Sequence, residues 1–100
     1  MDYVVRWSPR ALEDVEAIAE YIEKDSPFYA KAIVAKIVAI SRRLEDFPFS
    51  GRIVPEAGDS VLREHFVFSY RIIYRIDGEN VTIAAVVHGK RLLMIDDQEI

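Results

Sequence analysis

The sequence predicts an α+β domain in the order β-α-α-β-β-β, with a helical hairpin packed on one face of an antiparallel sheet. Four stretches carry that prediction. Alternating residues rich in Ile, Val and Tyr run from Tyr70 into Asp77-Gly78 and out again to His88, the pattern of a β-hairpin. Two earlier stretches space their apolar residues as helices do, and each opens on Ser-Pro. Tyr3-Val4-Val5-Arg6-Trp7 is short, β-branched and aromatic, and reads as a first strand.

In chain order, Ser8 is placed to cap a helix and Pro9 fits its first turn, where a missing N–H has no partner to lose. Ala11, Leu12, Val15, Ile18, Ala19 and Ile22 then form one stripe, and Glu13, Asp14 and Glu16 lie near the positive end of the helix dipole. Ser26-Pro27 repeats the start signal. The second stripe is Ala30, Ile33, Val34, Ile37, Val38, Ser41, Leu44 and Phe47, and that helix is expected to stop before Pro48. So short a link between helices turns them back on each other. Phe49 to Ser60 contains Gly51, Pro55 and Gly58 and reads as a loop. Val61 to Phe66 reads as a strand, followed by a turn near Val67 to Ser69 whose register the sequence leaves open. Leu92, Leu93 and Met94 are expected to dock locally before an acidic, frayed end after about residue 95.

The hairpin divides its side chains between two faces. Tyr70, Ile72, Tyr74 and Ile76 point one way, and Arg71, Ile73 and Arg75 the other. A tight turn pairs residues 76 and 79; a four-residue loop pairs 76 and 81. Both put Val81, Ile83, Ala85 and Val87 on the first, apolar face, and Thr82, Ala84, Val86 and His88 on the second. The helices are expected over the first face. The second is expected to stay open, so that Ile73, Ala84 and Val86 form an exposed patch among cations, a surface suited to binding.

Composition narrows the function classes. One hundred residues make one domain, 1–100, and an apolar share of 51% fits a folded globule. The absence of cysteine removes disulfides and thiolate metal sites and suits a reducing, cytoplasmic setting. No apolar run approaches the roughly 20 residues of a membrane span, and Met1 to Trp7 does not read as a signal peptide. The net charge is −4, with two basic against six acidic groups in residues 8–25 and five basic against three acidic in residues 61–91. That balance disfavours general nucleic-acid binding while leaving a small cationic patch. His65 and His88 have no evident third ligand, so neither a metal nor a cofactor is expected. No serine sits in a nucleophile elbow, and there is no glycine-rich phosphate loop. As isolated residues, Arg71 and Arg75 read as solvated charges, His88 as a structural hydrogen-bonding group, and Tyr70 and Tyr74 as packing groups with polar tips. Gly89 is expected to supply a backbone conformation that other residues resist.

Five segments together resemble the RelE/ParE superfamily of bacterial toxins from type II toxin–antitoxin modules. They are Trp7-Ser8-Pro9-Arg10-Ala11, Pro48 to Glu56, Leu62-Arg63-Glu64, Tyr70 to Arg75, and Val87-His88-Gly89-Lys90-Arg91. They span about residues 3–93 in the superfamily's order. The resemblance implies a toxin neutralised in a hetero-oligomer by an antitoxin encoded beside it, in a plasmid-stabilisation or addiction system. The RelE-like branch cuts mRNA on the ribosome with strand lysines, two arginines and a C-terminal tyrosine. By position the arginines match Arg71 and Arg91; the lysine positions fall on Leu62 and Glu64, and the tyrosine position near Asp97. Cleavage at a 2′-OH needs a proton acceptor and cations for the phosphorane, and leucine supplies neither. A ribonuclease built on this chain would rely on Arg71, Arg91, His88 and Glu64. The ParE-like branch lacks that set and is linked to inhibition of DNA gyrase; Gly51 to Glu56 and His88-Gly89 resemble it more. The favoured expectation is therefore a gyrase-binding toxin whose target and antitoxin surface comprises Arg63, Arg71, Ile73, Arg75, Val86, His88, Lys90 and Arg91. The alternatives are a RelE-like endoribonuclease acting on the ribosome and mRNA, and a non-toxic relative that only forms complexes.

Overall fold

A computed structural model describes residues 2–91; the Leu92 to Met94 contact, the acidic end and Asp97 lie outside them. The elements are β1 (Val4–Trp7), α1 (Pro9–Glu23), α2 (Pro27–Arg43), β2 (Arg52–Ile53), β3 (Leu62–Val67), β4 (Tyr70–Asp77) and β5 (Asn80–His88), with a 3-10 turn at Pro48–Ser50. The five strands form one sheet in the order β1-β5-β4-β3-β2. β1 runs parallel to β5, and the remaining pairs are antiparallel. The expected α+β architecture is present, with β2 added inside the segment read as a loop.

Both helix starts form as their serines dictate. Ser8 Oγ accepts from the Ala11 N–H at 3.0 Å, and Ser26 Oγ from the Tyr29 N–H at 3.1 Å. Glu13, Asp14 and Glu16 fall beyond the first turn of α1. α2 ends at Arg43, so Phe47 lies outside it and is exposed, not part of the stripe. The main core is Ile33, Ile37 and Leu44 from the α2 side against Ile72, Tyr74, Ile76, Val81, Ile83 and Val86 of the sheet.

The largest departure from expectation is a β-bulge in β5. Ile76 pairs with Val81 and Tyr74 with Ile83, but Ile73 pairs with Ala85 and Ile72 with Val86. Ala84 is the extra residue. Beyond it every side chain changes face, since strand sides alternate with a period of two. Val86 and His88 therefore lie on the helix side, and Ala85 and Val87 join Arg71 on the other, which reverses their expected assignment. Helix α1 serves the backbone groups of the bulge: Ser8 Oγ donates to the Ala84 carbonyl at 3.0 Å, and Asp14 Oδ2 accepts from the Val86 N–H at 2.9 Å. The β3–β4 connection is a two-residue turn with Phe68 in the left-handed region at φ 53°. That register puts Arg63, His65 and Val67 on the helix side and Leu62, Glu64 and Phe66 on the other.

The second face is not open. Val54 and Ala57 from the chain after β2 pack on Leu62, Ile73, Ala85 and Val87. Ile73, Ala84 and Val86 are at most 2% exposed, so the expected apolar patch does not exist. The bulge buries Val86 under the helices, and the 54–57 segment buries Ile73.

Candidate functional site

The second face is sealed around Arg71, which is 4% exposed near the start of β4. Its Nε donates to Glu64 Oε1 at 2.7 Å, from the neighbouring strand. Its two terminal nitrogens donate to Glu56 at 2.7 and 2.8 Å, a bidentate pair. The Arg91 carbonyl accepts a further bond at 3.2 Å. Arg52 closes the other side of Glu64. Hydrogen bonding to Glu56 chiefly, then to Glu64, raises the Arg71 pKa further above its already high value, against the cost of burial. Two cations thus enclose a carboxylate that is 1% exposed, and every donor group of the guanidinium is occupied.

Gly51 makes this geometry attainable. A Cβ there would stand 2.5 Å from the Glu64 carbonyl oxygen and 2.6 Å from the Tyr74 hydroxyl, so only glycine lets β2 approach β3. The Tyr74 hydroxyl accepts from the Gly51 N–H at 3.0 Å and donates to the Pro48 carbonyl at 2.7 Å. Burial pushes its pKa up, so it stays a neutral donor. Gly89 also answers to close approach, with the Ser69 carbonyl oxygen 3.0 Å from its would-be Cβ; it lacks the positive φ expected of it.

The other residues singled out in the sequence do not converge on Arg71. Arg63 donates to the carbonyls of Ser60 at 2.7 Å and Gly51 at 3.1 Å and lies over the Phe49 ring. Arg75 is half-buried, and its Nε has no hydrogen-bond partner among the described residues. His88 is exposed on the helix side, edge-on to Tyr70 at 5.7 Å, and its Nδ1 accepts from the Lys90 N–H at 3.2 Å. Lys90 and Arg91 are exposed at the exit of β5. Of the four residues a ribonuclease would use, the structure joins the Arg71 and Glu64 side chains, brings up only the backbone of Arg91, and sends His88 to the opposite face. Glu64 is held as an ion-pair partner, not presented as a base. Sequence reasoning missed the roles of Arg52 and Glu56. Alternation assigned Glu64 and Arg71 each to one side of its own strand, but that the two sides coincide depended on the β3–β4 register, which the sequence left open, and the residues above that pair come from an irregular segment. Among the described residues, no group of three His, Cys, Asp or Glu side chains is arranged to hold a metal ion, and no helix is long and apolar enough to cross a membrane.

A family model described as the ParE toxin of the type II toxin–antitoxin system, parDE, matches residues 5–93. The chain belongs to the ParE toxin family. Its relatives include Y4kP of Sinorhizobium fredii, 37% identical over 87 residues that cover 85% of this chain and 86% of that protein. Toxin RelE2 of Caulobacter vibrioides is 33% identical over 89 residues, 88% of this chain and 97% of that one. Among solved structures, a chain of the chromosomal ParDE TA system from P. aeruginosa superimposes with a TM-score of 0.70 at 20% identity, covering 86% of this toxin and 95% of that chain. A chain of the RelBE2 toxin–antitoxin complex from Mycobacterium tuberculosis gives 0.60 at 24%, covering 88% and 99%. At these identities both likenesses bear on the fold alone. The superfamily resemblance and the ParE-like fold expected from the sequence are thereby established. This ParE-family toxin carries Leu62 and Glu64 buried on β3.

Proposed function

We propose that this ParE-family toxin acts by binding DNA gyrase, not by cutting RNA, and that a cognate antitoxin neutralises it. The observation that carries the proposal is the commitment of Arg71. A guanidinium buried and bonded to two carboxylates has no donor left for a phosphorane, and its charge is already compensated. The family match supports the gyrase side, through the branch to which ParE-like members belong. The solved neighbours come from toxin–antitoxin systems, which supports an antitoxin partner for this chain. Antitoxin tails that order on binding suit such a partner. The contact surface contracts from the expected one: Arg71, Ile73 and Val86 drop out because they are buried, and His88, Lys90 and Arg91 remain accessible where β5 ends.

The test is a gyrase supercoiling assay with purified full-length toxin. Inhibition at micromolar toxin is expected, weakened several-fold when His88, Lys90 and Arg91 are all replaced by alanine. Absence of inhibition by verifiably folded protein overturns the proposal. So does mRNA from arrested cells that carries ribosomal A-site cuts abolished by Arg91→Ala.

A further inference from the structure

A second polar site lies on the helix side of the sheet, away from Arg71. It is a cleft of about 250 Å³ lined by Ile40, Arg43, Ser50, His65 and Phe66. Ser50 Oγ and His65 Nε2 are 2.8 Å apart. The His65 ring is stacked on Tyr74 at 6.1 Å and 12°, and Tyr74 is itself fixed by its two hydrogen bonds. Burial first, and the charge of Arg43 second, push the imidazole pKa down, so His65 is neutral at pH 7. In its Nε2–H tautomer the ring donates to Ser50 Oγ, and the serine proton is then shared between the Tyr74 hydroxyl oxygen, with which Ser50 also interacts, and an acceptor in the cleft.

Two guanidiniums flank this pair. Arg43, in the last turn of α2, forms no ion pair among the described residues. The side-chain hydrogen bonds of Arg63 go to backbone carbonyls, not to a carboxylate, and its charge acts on Tyr74. The Arg43 guanidinium, a serine hydroxyl and a neutral imidazole lining a small cleft, with the charge of Arg63 beside them, suit a tetrahedral, multiply accepting anion. Phe49, next in sequence to Ser50, is 50% exposed and carries Arg63 over its ring at 5.2 Å. An exposed ring backed by a cation beside a phosphate-sized cleft is how single strands are held without sequence preference.

We propose that the Arg43–Ser50–His65 cleft binds a backbone phosphate of single-stranded nucleic acid, with the adjoining base on Phe49. Arg43 is the decisive contact, because the negative end of the α2 dipole points at the same place and must be outweighed. Affinity is modest and falls with salt, as the overall charge of −4 requires.

The test is an NMR titration of isotopically labelled full-length toxin at fixed ionic strength. The probes are inorganic phosphate, phosphoserine, thymidine 5′-monophosphate and a thymidine hexanucleotide. The Ser50 amide and His65 ring signals are expected to shift saturably, with the hexanucleotide binding about tenfold tighter than inorganic phosphate, the size of one stacked base. Arg43→Gln, at an exposed position outside the core, is expected to weaken every probe about tenfold, the worth of one charge-assisted hydrogen bond. Phe49→Ala is expected to cancel only the advantage of the hexanucleotide. No saturable shift, or unchanged binding by Arg43→Gln, overturns the site. Phosphoserine or free phosphate binding as tightly as the hexanucleotide overturns its assignment to nucleic acid. Gyrase is absent from this experiment, so its result is independent of the supercoiling assay.

Discussion

The two faces of this sheet are covered by different means. On one, a pair of amphipathic helices lays Ile33, Ile37 and Leu44 over Ile72, Tyr74 and Ile83, and apolar burial suffices. On the other, a single pass of irregular chain offers Val54 and Ala57 and little more. So thin a cover excludes water only if the groups beneath it are satisfied, and the Arg52–Glu64–Arg71–Glu56 network satisfies them. Charge takes the place of a missing helix. The proposed function rests on the same contrast, since Arg71, the arginine matched by position to the ribonuclease branch, is engaged in holding the cover down.

The comparison is most easily broken at Arg71. Arg71→Ala leaves buried Glu64 with Arg52 alone and takes the bidentate Arg71 contact from Glu56, and is expected to cost about 3–5 kcal/mol of unfolding free energy. Urea denaturation measures it. The double substitution Arg71→Met with Glu64→Leu removes both buried charges and is expected to recover most of that loss, because an apolar pair can replace a buried ion pair. A loss below about 1 kcal/mol for Arg71→Ala, the level of an exposed pair, would mean that the network does not hold the second face.

Ile72 and Ile73 sharpen the contrast, being adjacent, fully buried and on opposite faces. Each alanine substitution falls in the range of about 2–5 kcal/mol for a core truncation. Ile72→Ala is expected near the top, because the helices cannot close on the void. Ile73→Ala is expected near the bottom, because the 54–57 segment can settle. Scanning calorimetry on both variants checks the order; equal losses would make the two covers equally rigid.

What the sequence disclosed follows the same division. The helix face was legible because its rules are local: Ser8-Pro9 and Ser26-Pro27 start helices, apolar spacing orients them, and Tyr70 to His88 reads as a hairpin. The second face was not, because it depends on one extra residue and one irregular segment. Ala84 carries no bulge signature, being neither glycine nor flanked by turn residues, and its insertion exchanges the faces of Val86 and Val87. Arg52 and Glu56 lie in a stretch with no period to reveal which side they take. The Ser50–His65 pair needed the β3 register, which Phe68 fixes through a left-handed turn more often built on glycine or asparagine. The superfamily was legible from ordered short motifs even though three residues of the surface inferred from them, Arg71, Ile73 and Val86, are buried.

A smaller effect tests how the bulge is tied to the helices. Ser8 Oγ both caps α1 and donates to the Ala84 carbonyl, so one hydroxyl links the helix start to the register of β5. Ser8→Ala is expected to cost about 1–2 kcal/mol, the upper part of the range for a lost cap, because a partly buried carbonyl also loses its donor. Ser8→Asp retains the cap and removes the bulge donor. It separates the two contributions, and native-state hydrogen exchange in β5 shows whether the bulge loosens. Full recovery by aspartate would mean that the carbonyl bond adds nothing to the cap.

The smallest expected effect is a pH dependence rooted on the helix face. Burial and the charge of Arg43 hold the folded-state pKa of His65 below the ordinary 6.5. The unfolded chain therefore takes up this proton first as the solution is acidified. The contribution is present above pH 6.5 and is lost as the pH falls toward the folded value, so stability declines as the pH drops through 6.5. Urea midpoints on either side of that pH measure the decline. His65→Gln is expected to flatten it, and Arg43→Gln to reduce it in part, since that charge is the lesser of the two causes. Arg71→Met with Glu64→Leu leaves His65 untouched and is expected to keep the slope assigned to it. A His65→Gln protein with an unchanged slope would locate the acid sensitivity elsewhere.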